Sequence, residues 1–369
     1  MKNLKSNNFK SNLRIILAIA WKDILQGWKN KVILSSIITS LFLVIFYAYL
    51  PDLTRSDELP LLVLYDTRGT INEDEFFNIR DFHVHLVSDQ NDFLFLLRDA
   101  DSPCIGIKLD ENYTKTAIGS KVVLEGFYPY WMKASQISEL TSSAERELSA
   151  LMGRDLELKT TGNMIYPVMD NYAYGKTFLT TSGLLIQLTL MGLSMAPQLI
   201  VEEKETRTLQ AMMVSPARLS HFIVGKGITI AFYSLLTAAI SFIFIGPLVI
   251  HWGLIIPAIF LVMLTLITPG ILLGTLLKSK KQISIWIWVL FIPTLLPLFL
   301  SVVRVLPDRF LKIIDWWPTV VISRLLRLGF TYQPDINAYL IEIIYLILLS
   351  VVFSGLIMWV IHKQTLHGD

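Results

Sequence analysis

Two glycine–lysine pairs are the residues whose types and spacing come nearest to a phosphate-binding loop. A phosphate loop of the form G-x-x-x-x-G-K-[ST] cradles phosphates with its backbone N–H groups. The segment 170–177 ends in Gly-Lys-Thr, as the motif requires, but it begins with Asp170 instead of glycine. The segment 220–227 ends in Gly-Lys-Gly and begins with Ser220, so it lacks both the first glycine and the hydroxyl. The sequence therefore predicts that this chain does not hydrolyse ATP through such a loop.

His83 and His85 are the candidates for metal ligands, and Cys104 is the candidate nucleophile. The two histidines lie two residues apart in a β-like run, so their side chains share one face of a strand. Imidazole is a common zinc ligand, but no third ligand cluster lies near them, which favours two exposed strand histidines. Cys104, the single cysteine, has no His or Asp beside it and is predicted to be a small buried hydrophobe.

The composition indicates a membrane protein. Hydrophobic residues make up 53% of the 369 residues and charged residues 17%, whereas a soluble chain carries about a quarter charged residues. Residues 228–277 contain no Asp, Glu, Lys or Arg. This pattern excludes an ordinary cytosolic enzyme, a disordered chain and a disulfide-stapled secreted scaffold. The net charge of +2 gives no indication of a nucleic-acid partner.

Six stretches are long enough to cross a bilayer, which requires about 20 apolar residues per helix. The spans must be helical, because hydrocarbon offers no partner to an unpaired backbone group. They are predicted at residues 32–50, 177–200, 224–250, 254–277, 283–303 and 336–361. The first lacks a small-residue cleavage pattern, so it is interpreted as a retained signal anchor.

The distribution of lysine and arginine predicts the orientation. The N-terminal segment 1–31, which is predicted to contain an amphipathic helix, has a single acid, Asp23, among its basic residues. The loop 278–282 holds three lysines. Both termini and the loops after the second and fourth spans are therefore predicted to be cytoplasmic. The segments 51–176 and 304–335 are predicted to lie outside.

The exterior segment 51–176 is predicted to be a water-soluble α/β domain inserted between the first and second spans. It carries 12 basic and 21 acidic residues. Four β-like runs begin near residues 59, 82, 104 and 121, and helix-like stretches separate them. Residues 134–159 show apolar positions at helical spacing, which predicts one long helix.

Glu342 is the one ionisable residue that we assign to the interior of a predicted span. A transporter coupled to protons or sodium would carry such residues in its spans, because buried charge there is costly and usually functional. Pairing with Arg324 or Arg327, or snorkelling at the helix end, explains Glu342 equally well. Secondary transport is therefore disfavoured but stays open as an alternative.

The inside loop 201–223 is acid-rich and is predicted to form a short amphipathic helix. Its acids would lie in the first turn, where they suit the helix dipole, and Leu209, Met212 and Met213 would form an apolar face. Pro216 would end the helix, with Ser215 extended before it. The loop is either an interfacial helix that ties two spans together or a docking element for a cytosolic partner.

This loop resembles the inside segment of ABC-2 type exporter permeases. That family has the pattern E-[KR]-E-x-G-T-L, then [ST]-P, then G-K leading into the next span. Residues 203–209, 215–216 and 225–226 match it, with Arg207 where glycine is common. An amphipathic N-terminal segment, an exterior domain after the first span and partly inserted helical turns at 304–335 also match. The resemblance covers nearly the whole chain.

The resemblance implies the non-catalytic permease subunit of an ATP-driven exporter, with its transmembrane core at 177–366, in the plasma membrane (the inner membrane of a bacterial cell). The implied partners are cytosolic ABC ATPase subunits, which hold the ATP and Mg, and a second permease in a homodimer or heterodimer. Membrane lipid is expected around the chain, and a periplasmic adaptor is compatible with it. No cofactor, metal or nucleic acid is expected on this chain.

The resemblance also implies a coupling helix that docks into the ATPase. The predicted docking residues are Glu202, Glu203, Lys204, Glu205, Thr208, Leu209, Met212, Ser215 and Pro216. Polar residues of the second span are candidates for the substrate path, although interhelical hydrogen bonds explain them equally well. They are Thr181, Gln187, Ser194 and Gln198.

Two further classes of protein stay open from the sequence. A membrane-embedded lipid transferase would need clustered His, Asp or Glu at a membrane face, and none is found. A membrane-anchored sensor could bind a ligand through residues 51–176, but it would need a cytosolic output module that the inside segments are too short to hold. The sequence does not identify a transported substrate.

Overall fold

The computed structural model of the chain describes residues 2–54, 59–68, 76, 79–109, 121–168, 175–206, 218–303 and 306–367. The chain divides into two compact units, which we call the helical unit and the mixed unit. The helical unit comprises residues 1–47, 180–329 and 335–369. The mixed unit comprises residues 48–179 and 330–334.

Among the residues that the structure describes, six helices are long and apolar enough to cross a membrane, the number that the sequence predicts. These first to sixth spans are Ile33–Leu50, Lys176–Glu205, Leu219–Leu248, Trp252–Leu276, Lys280–Ser301 and Ile336–Lys363. The helices that carry the first, fifth and sixth spans are Lys31–Thr54, Lys280–Val303 and Leu340–His367. The second and third spans extend beyond their predicted limits into the predicted loop 201–223. The chain is thus a multi-pass membrane protein.

Shorter helices precede and connect the spans. The N-terminal helix, Lys2–Gly27, comes before the first span. Two helices, Asp308–Ile314 and Pro318–Arg327, lie between the fifth and sixth spans, within the segment where the sequence predicts helical turns. Short 3-10 turns occur at Gly246–Leu248, Leu328–Phe330 and Ile336–Tyr339.

The second span contains a wider helical turn. Its α-helix Lys176–Thr189 passes into a π-helical segment, Leu190–Met195, and resumes as Ala196–Glu205. Pro197 begins the resumed helix and has no N–H to donate, which removes one regular backbone bond at this point. Such π segments are rare and often mark functional positions.

The π segment is where the second and fourth spans approach backbone to backbone. A Cβ atom on Gly192 would lie 2.6 Å from the carbonyl oxygen of Leu266. A Cβ atom on Gly270 would overlap the carbonyl oxygen of Gly192, and one on Gly274 would lie 2.8 Å from the Cα of Pro197. Gly270 and Gly274, four residues apart, therefore permit close contact between the second and fourth spans. A side chain at either position would force the two backbones apart. We call this contact the glycine crossing.

A six-stranded sheet forms the centre of the mixed unit. Its strand order is β2-β1-β3-β4-β5, and β6 pairs with β4. The neighbouring strands are parallel except for β3 and β4, which are antiparallel. The strands are β1 Leu61–Asp66, β2 His83–Val87, β3 Cys104–Leu109, β4 Val122–Pro129, β5 Leu156–Lys159 and β6 Met164–Ile165.

Alternating residues of the strands supply two separate hydrophobic clusters. Leu62 and Leu64 of β1 belong to the cluster that includes the buried face of helix Ala134–Met152. Val63, between them, belongs to the cluster that includes helix Gln90–Arg98. Successive strand residues point to opposite faces, so each of the two clusters lies on one face of the sheet.

The predicted helix 134–159 is shorter than the sequence analysis indicates. It ends at Met152, because Gly153 adopts the left-handed conformation (φ 63°) that commonly closes a helix. Strand β5 follows, with Leu156 and Leu158 buried and Glu157 and Lys159 exposed. The predicted helix is wrong beyond Gly153, because Leu156 and Leu158 lie two residues apart and fit the alternation of a strand, not one face of a helix.

Three tyrosine rings stack within the mixed unit. The ring of Tyr166 lies 5.8 Å from that of Tyr130 and 4.5 Å from that of Tyr332, measured between centroids. The backbone N–H of Tyr332 also donates to the carbonyl of Pro167 at 3.1 Å. The segment 330–334, which is far along the chain from the sheet, is joined to the mixed unit through these contacts.

Cys104 is expected to resist alkylation in the folded protein. Its side chain is 0% exposed, and burial, together with the charge of Asp101, raises the pKa of its thiol to about 12. At pH 8 the thiolate fraction should be about a thousandfold smaller than for an ordinary cysteine. N-ethylmaleimide should therefore label the chain in SDS but not in mild detergent, and the native rate should stay low up to pH 9.

The control for this prediction is a protein with Cys104→Ser and Ser88→Cys. Residue 88 is exposed at the end of β2, so its thiol should react in mild detergent as fast as a free cysteine. Rapid native labelling of Cys104 at the rate of this control would contradict the packing around β3.

Candidate functional site

The predicted docking residues Glu202–Glu205 lie at the C-terminal end of the second span. They occupy the last turns of helix Ala196–Glu205, not the first turn of a new helix, which corrects the secondary structure predicted for them. The helix continues because residues 198–206 contain neither glycine nor proline. Thr208, Leu209, Met212, Ser215 and Pro216 lie outside the described residues, so their docking role stays a prediction.

Glu203 takes part in a buried ion cluster with Asp23 and Lys226. The Nζ atom of Lys226 lies 2.9 Å from Oε1 of Glu203 and 2.8 Å from Oδ2 of Asp23. Lys226 is 2% exposed. The three side chains come from the second span, the N-terminal helix and the third span, so one ammonium group joins three helices.

The electrostatics of this cluster depend on burial. Burial raises the pKa of the Asp23 carboxyl, and the ammonium of Lys226 opposes that rise. Two carboxylates share one buried ammonium, while Lys22, which is 46% exposed, adds positive charge at 3.8 Å from Glu203. A buried charge that loses its partner is costly, so none of the three groups can be withdrawn alone without penalty.

The N-terminal helix packs along the third span in a regular register. Thr229 donates from Oγ1 to the carbonyl of Ala20 at 3.3 Å, and Tyr233 donates from its hydroxyl to the carbonyl of Ile24 at 2.6 Å. In both pairs the two residues are 209 positions apart in the sequence. A step of four residues on one helix therefore matches a step of four in the same direction on the other, so the two helices run parallel over this turn. A Cβ atom on Gly225 would lie 2.9 Å from Ile19, which brings the two backbones close at the start of the third span.

Glu202 and Glu205 connect the second span to Asn30 and to the start of the fifth span. Glu202 accepts a hydrogen bond from Nδ2 of Asn30 at 3.0 Å and lies 3.3 Å from Nζ of Lys280. Glu205 accepts from the backbone N–H of Lys280 at 2.8 Å. Lys280 begins the fifth span, and an unpaired N–H at a helix start favours an acidic acceptor.

Lys204 caps the C-terminal end of the fourth span. Its Nζ atom donates to the carbonyls of Gly274, Thr275 and Leu277 at 2.8, 2.7 and 3.0 Å. The last carbonyls of a helix have no partner within the helix, so an ammonium group there satisfies them. The tetrapeptide 202–205 therefore contacts the third, fourth and fifth spans and the N-terminal region.

Sequence reasoning missed two members of the buried ion cluster. The predicted third span, 224–250, already contains Lys226, so Glu342 is not the only ionisable residue inside a span. Asp23 was noted only as the one acid of the N-terminal segment. Two signals in the sequence point to this pair. Asp23 is the one acidic residue among the basic residues of segment 1–31, and Lys226 is the one lysine in an otherwise apolar predicted span.

The candidate substrate-path residues lie inside the helical unit. Thr181 and Gln187 are fully buried. Gln187 accepts through Oε1 from the hydroxyl of Ser241 on the third span at 2.9 Å, which is an interhelical hydrogen bond. Gln198 donates from Nε2 to the hydroxyl of Ser194 at 3.2 Å within one helix. The role of these four residues in a substrate path stays a prediction.

Glu342 pairs with Arg324, one of the arginines that the sequence offers as its partner. Nη2 of Arg324 lies 2.9 Å from Oε1 of Glu342 and donates to the carbonyl of Asp315 at 2.6 Å. Arg324 is 7% exposed and belongs to the short helix Pro318–Arg327. The pair ties this helix to the start of the sixth span.

The described residues contain no candidate metal-binding centre. Within them, no group of three or more His, Cys, Asp and Glu side chains could hold a metal ion. His83 and His85 share one face of β2, with ring centroids 6.0 Å apart, and both are exposed. The C-terminal end of the second span joins neighbouring helices through ion pairs, hydrogen bonds and a carbonyl cap.

The chain matches the model of a known protein family. The family, described as ABC-2 family transporter protein, matches residues 31–359. The match covers the first five spans and most of the sixth, and it includes the tetrapeptide 202–205, Lys226 and the Arg324–Glu342 pair. It begins after Asp23. No curated protein matches the chain.

Proposed function

Because this chain belongs to the ABC-2 transporter family, we propose that it is the permease subunit of an ATP-binding cassette exporter. Members of this family work with an ATP-binding subunit, so ATP and Mg would be held by a separate chain. The observation that supports this proposal is the family match over 31–359, which covers the first five spans and most of the sixth. The permease would form the substrate path as a homodimer or heterodimer surrounded by membrane lipid.

The proposed orientation places the tetrapeptide 202–205 in the cytoplasm of a bacterial cell. Lysine is concentrated in the N-terminal segment and in the loop 278–282, and such residues favour the cytoplasmic side of the inner membrane. The mixed unit would then be the extracytoplasmic α/β domain inserted between the first and second spans. That location would also make it the part available to a periplasmic adaptor.

The contacts of residues 202–205 support a coupling role for the segment that follows them. A force applied to residues 207–217 by the ATPase would reach the second span at Glu205. From there it would pass through Lys204 to the fourth span and through Glu205 to the fifth. Pairing with Arg324 accounts for Glu342 without ion coupling, so secondary transport is not proposed.

The proposed docking is tested at the apolar face of the predicted coupling helix. We expect Leu209→Asp combined with Met212→Asp to reduce the amount of ATPase that co-purifies with the permease. Two charges placed in an apolar contact should weaken binding by about tenfold or more. The readout is the ATPase-to-permease ratio after affinity purification from native membranes, with the ATPase identified by mass spectrometry.

A control changes a charge in the other predicted inside loop, 278–282. Lys281→Asp alters an exposed residue at the start of the fifth span and should leave the ratio unchanged. If the wild-type chain purifies with no ATPase, the proposed function is wrong. If the wild type and the double variant retain equal ATPase, the function stands and the docking assignment fails.

A further inference from the structure

We propose that the buried ion cluster of Asp23, Glu203 and Lys226 is a latch that fixes the N-terminal helix to the inner ends of the second and third spans. The three residues act as positioning residues, so that the three helices move as one body when the ATPase closes. The latch itself is a property of this chain. Only its role in the motion rests on the proposed function.

The first argument is the isolation of the charges from water. The ammonium of Lys226 is almost fully buried and meets one carboxylate from each neighbouring helix, at 2.8 and 2.9 Å. Displacing either helix would leave the ammonium and a carboxylate with fewer partners in a medium of low polarity. Such a displacement is costly, because removing one member of a buried ion pair leaves an uncompensated charge.

The second argument is that the cluster is not needed to align the N-terminal helix with the third span. The hydrogen bonds from Thr229 to Ala20 and from Tyr233 to Ile24 already fix their register. The additional contact that the charges supply is the ion pair of Lys226 with Glu203, which attaches the end of the second span to the other two helices. The cluster therefore has a separable role, which is to join the second span to the other two helices.

The third argument is the position of Glu203 in the chain. It lies among the predicted docking residues, which begin at Glu202. Its neighbours Lys204 and Glu205 contact the fourth and fifth spans. A displacement of this segment would reach the N-terminal helix through Glu203 and Lys226.

The latch is tested by distances between spin labels on protein with Cys104→Ser. One label replaces Trp21, which is exposed on the N-terminal helix. A second label replaces either Thr206, exposed at the end of the second span, or Val224, exposed on the third. The pair 21–206 reports on the latch, and the pair 21–224 reports on the hydrogen-bonded register as an internal control.

The decisive variant removes all three charges together, as Asp23→Asn, Glu203→Gln and Lys226→Met. Lys226→Met alone should lower the yield of monodisperse protein, because two buried carboxylates lose their partner. The triple variant should restore the yield, since no unpaired charge remains. In it, the 21–206 distance distribution should broaden, whereas the 21–224 distribution should keep its wild-type width.

The motion is tested in the permease–ATPase complex by trapping with ATP and vanadate. The wild-type 21–206 distance should be the same in the trapped and nucleotide-free states, and the triple variant should show a shift between them. Equal, narrow 21–206 distributions for both proteins would overturn the latch. A wild-type distance that changes on trapping would overturn the one-body motion. Failure of any ATPase to bind would affect the proposed function alone, since the detergent measurements need no ATPase.

Discussion

Replacing Gly270 with alanine is expected to lower the thermal unfolding midpoint of the protein and the yield of folded protein. The new methyl group would overlap the carbonyl oxygen of Gly192 and would lie 3.0 Å from the Cβ of Ala196. Backbone atoms cannot turn aside as the end of a side chain can, so the second and fourth spans would have to separate. Overpacking of this kind costs about 1–3 kcal/mol or more, out of a total stability of about 5–15 kcal/mol.

The matched control for this prediction is Gly355→Ala in the sixth span. A Cβ atom at residue 355 would meet no atom within 4 Å, so the same chemical change is made without crowding. Size-exclusion profiles and thermal unfolding midpoints of fluorescently tagged protein measure both variants. Equal yields and midpoints for the two variants would show that the glycine crossing is not the close contact described above.

Replacing Arg324 with methionine is expected to destabilise the helical unit by about 3–5 kcal/mol, because it leaves the carboxylate of Glu342 buried without its partner. The carbonyl of Asp315 also loses its donor. Adding Glu342→Gln to the same chain should recover part of the loss, since it removes the unpaired charge. The midpoints of thermal unfolding for the two single variants and the double variant give the coupling between the residues.

Arg309→Met is the control, because Arg309 is exposed on the neighbouring helix Asp308–Ile314 and an exposed arginine contributes little to stability. The pairing would be refuted if Arg324→Met unfolded at the same temperature as Arg309→Met. It would also be refuted if Glu342→Gln gave no recovery.

The spans could be predicted from the sequence because the bilayer imposes a length and a composition. A helix that crosses hydrocarbon needs about 20 apolar residues whatever it packs against, so the number of spans follows from local sequence. The partners of the spans do not follow in this way. Gly192 and Gly270 meet across two helices, and no local pattern states that one glycine faces the other.

The contacts within the buried ion cluster, like those between the spans, could not be predicted from the sequence. The sequence contains 30 acidic residues, and nothing in the neighbourhood of Lys226 indicates which of them pair with it. Glu203 belongs to a recognisable motif, but the motif predicts a surface that docks a partner. The structure instead buries its side chain against Lys226, because the second span continues as a helix through residue 205.

The stacked tyrosines of the mixed unit have a consequence for the order in which the protein is made. Residues 48–179 leave the ribosome early, but Tyr332, which stacks on Tyr166, is synthesised only after the fifth span. The mixed unit therefore cannot complete its packing during the first half of translation. Its last contact forms when four more membrane helices have been synthesised, so a ribosome stalled before residue 330 carries this unit in an unfinished state.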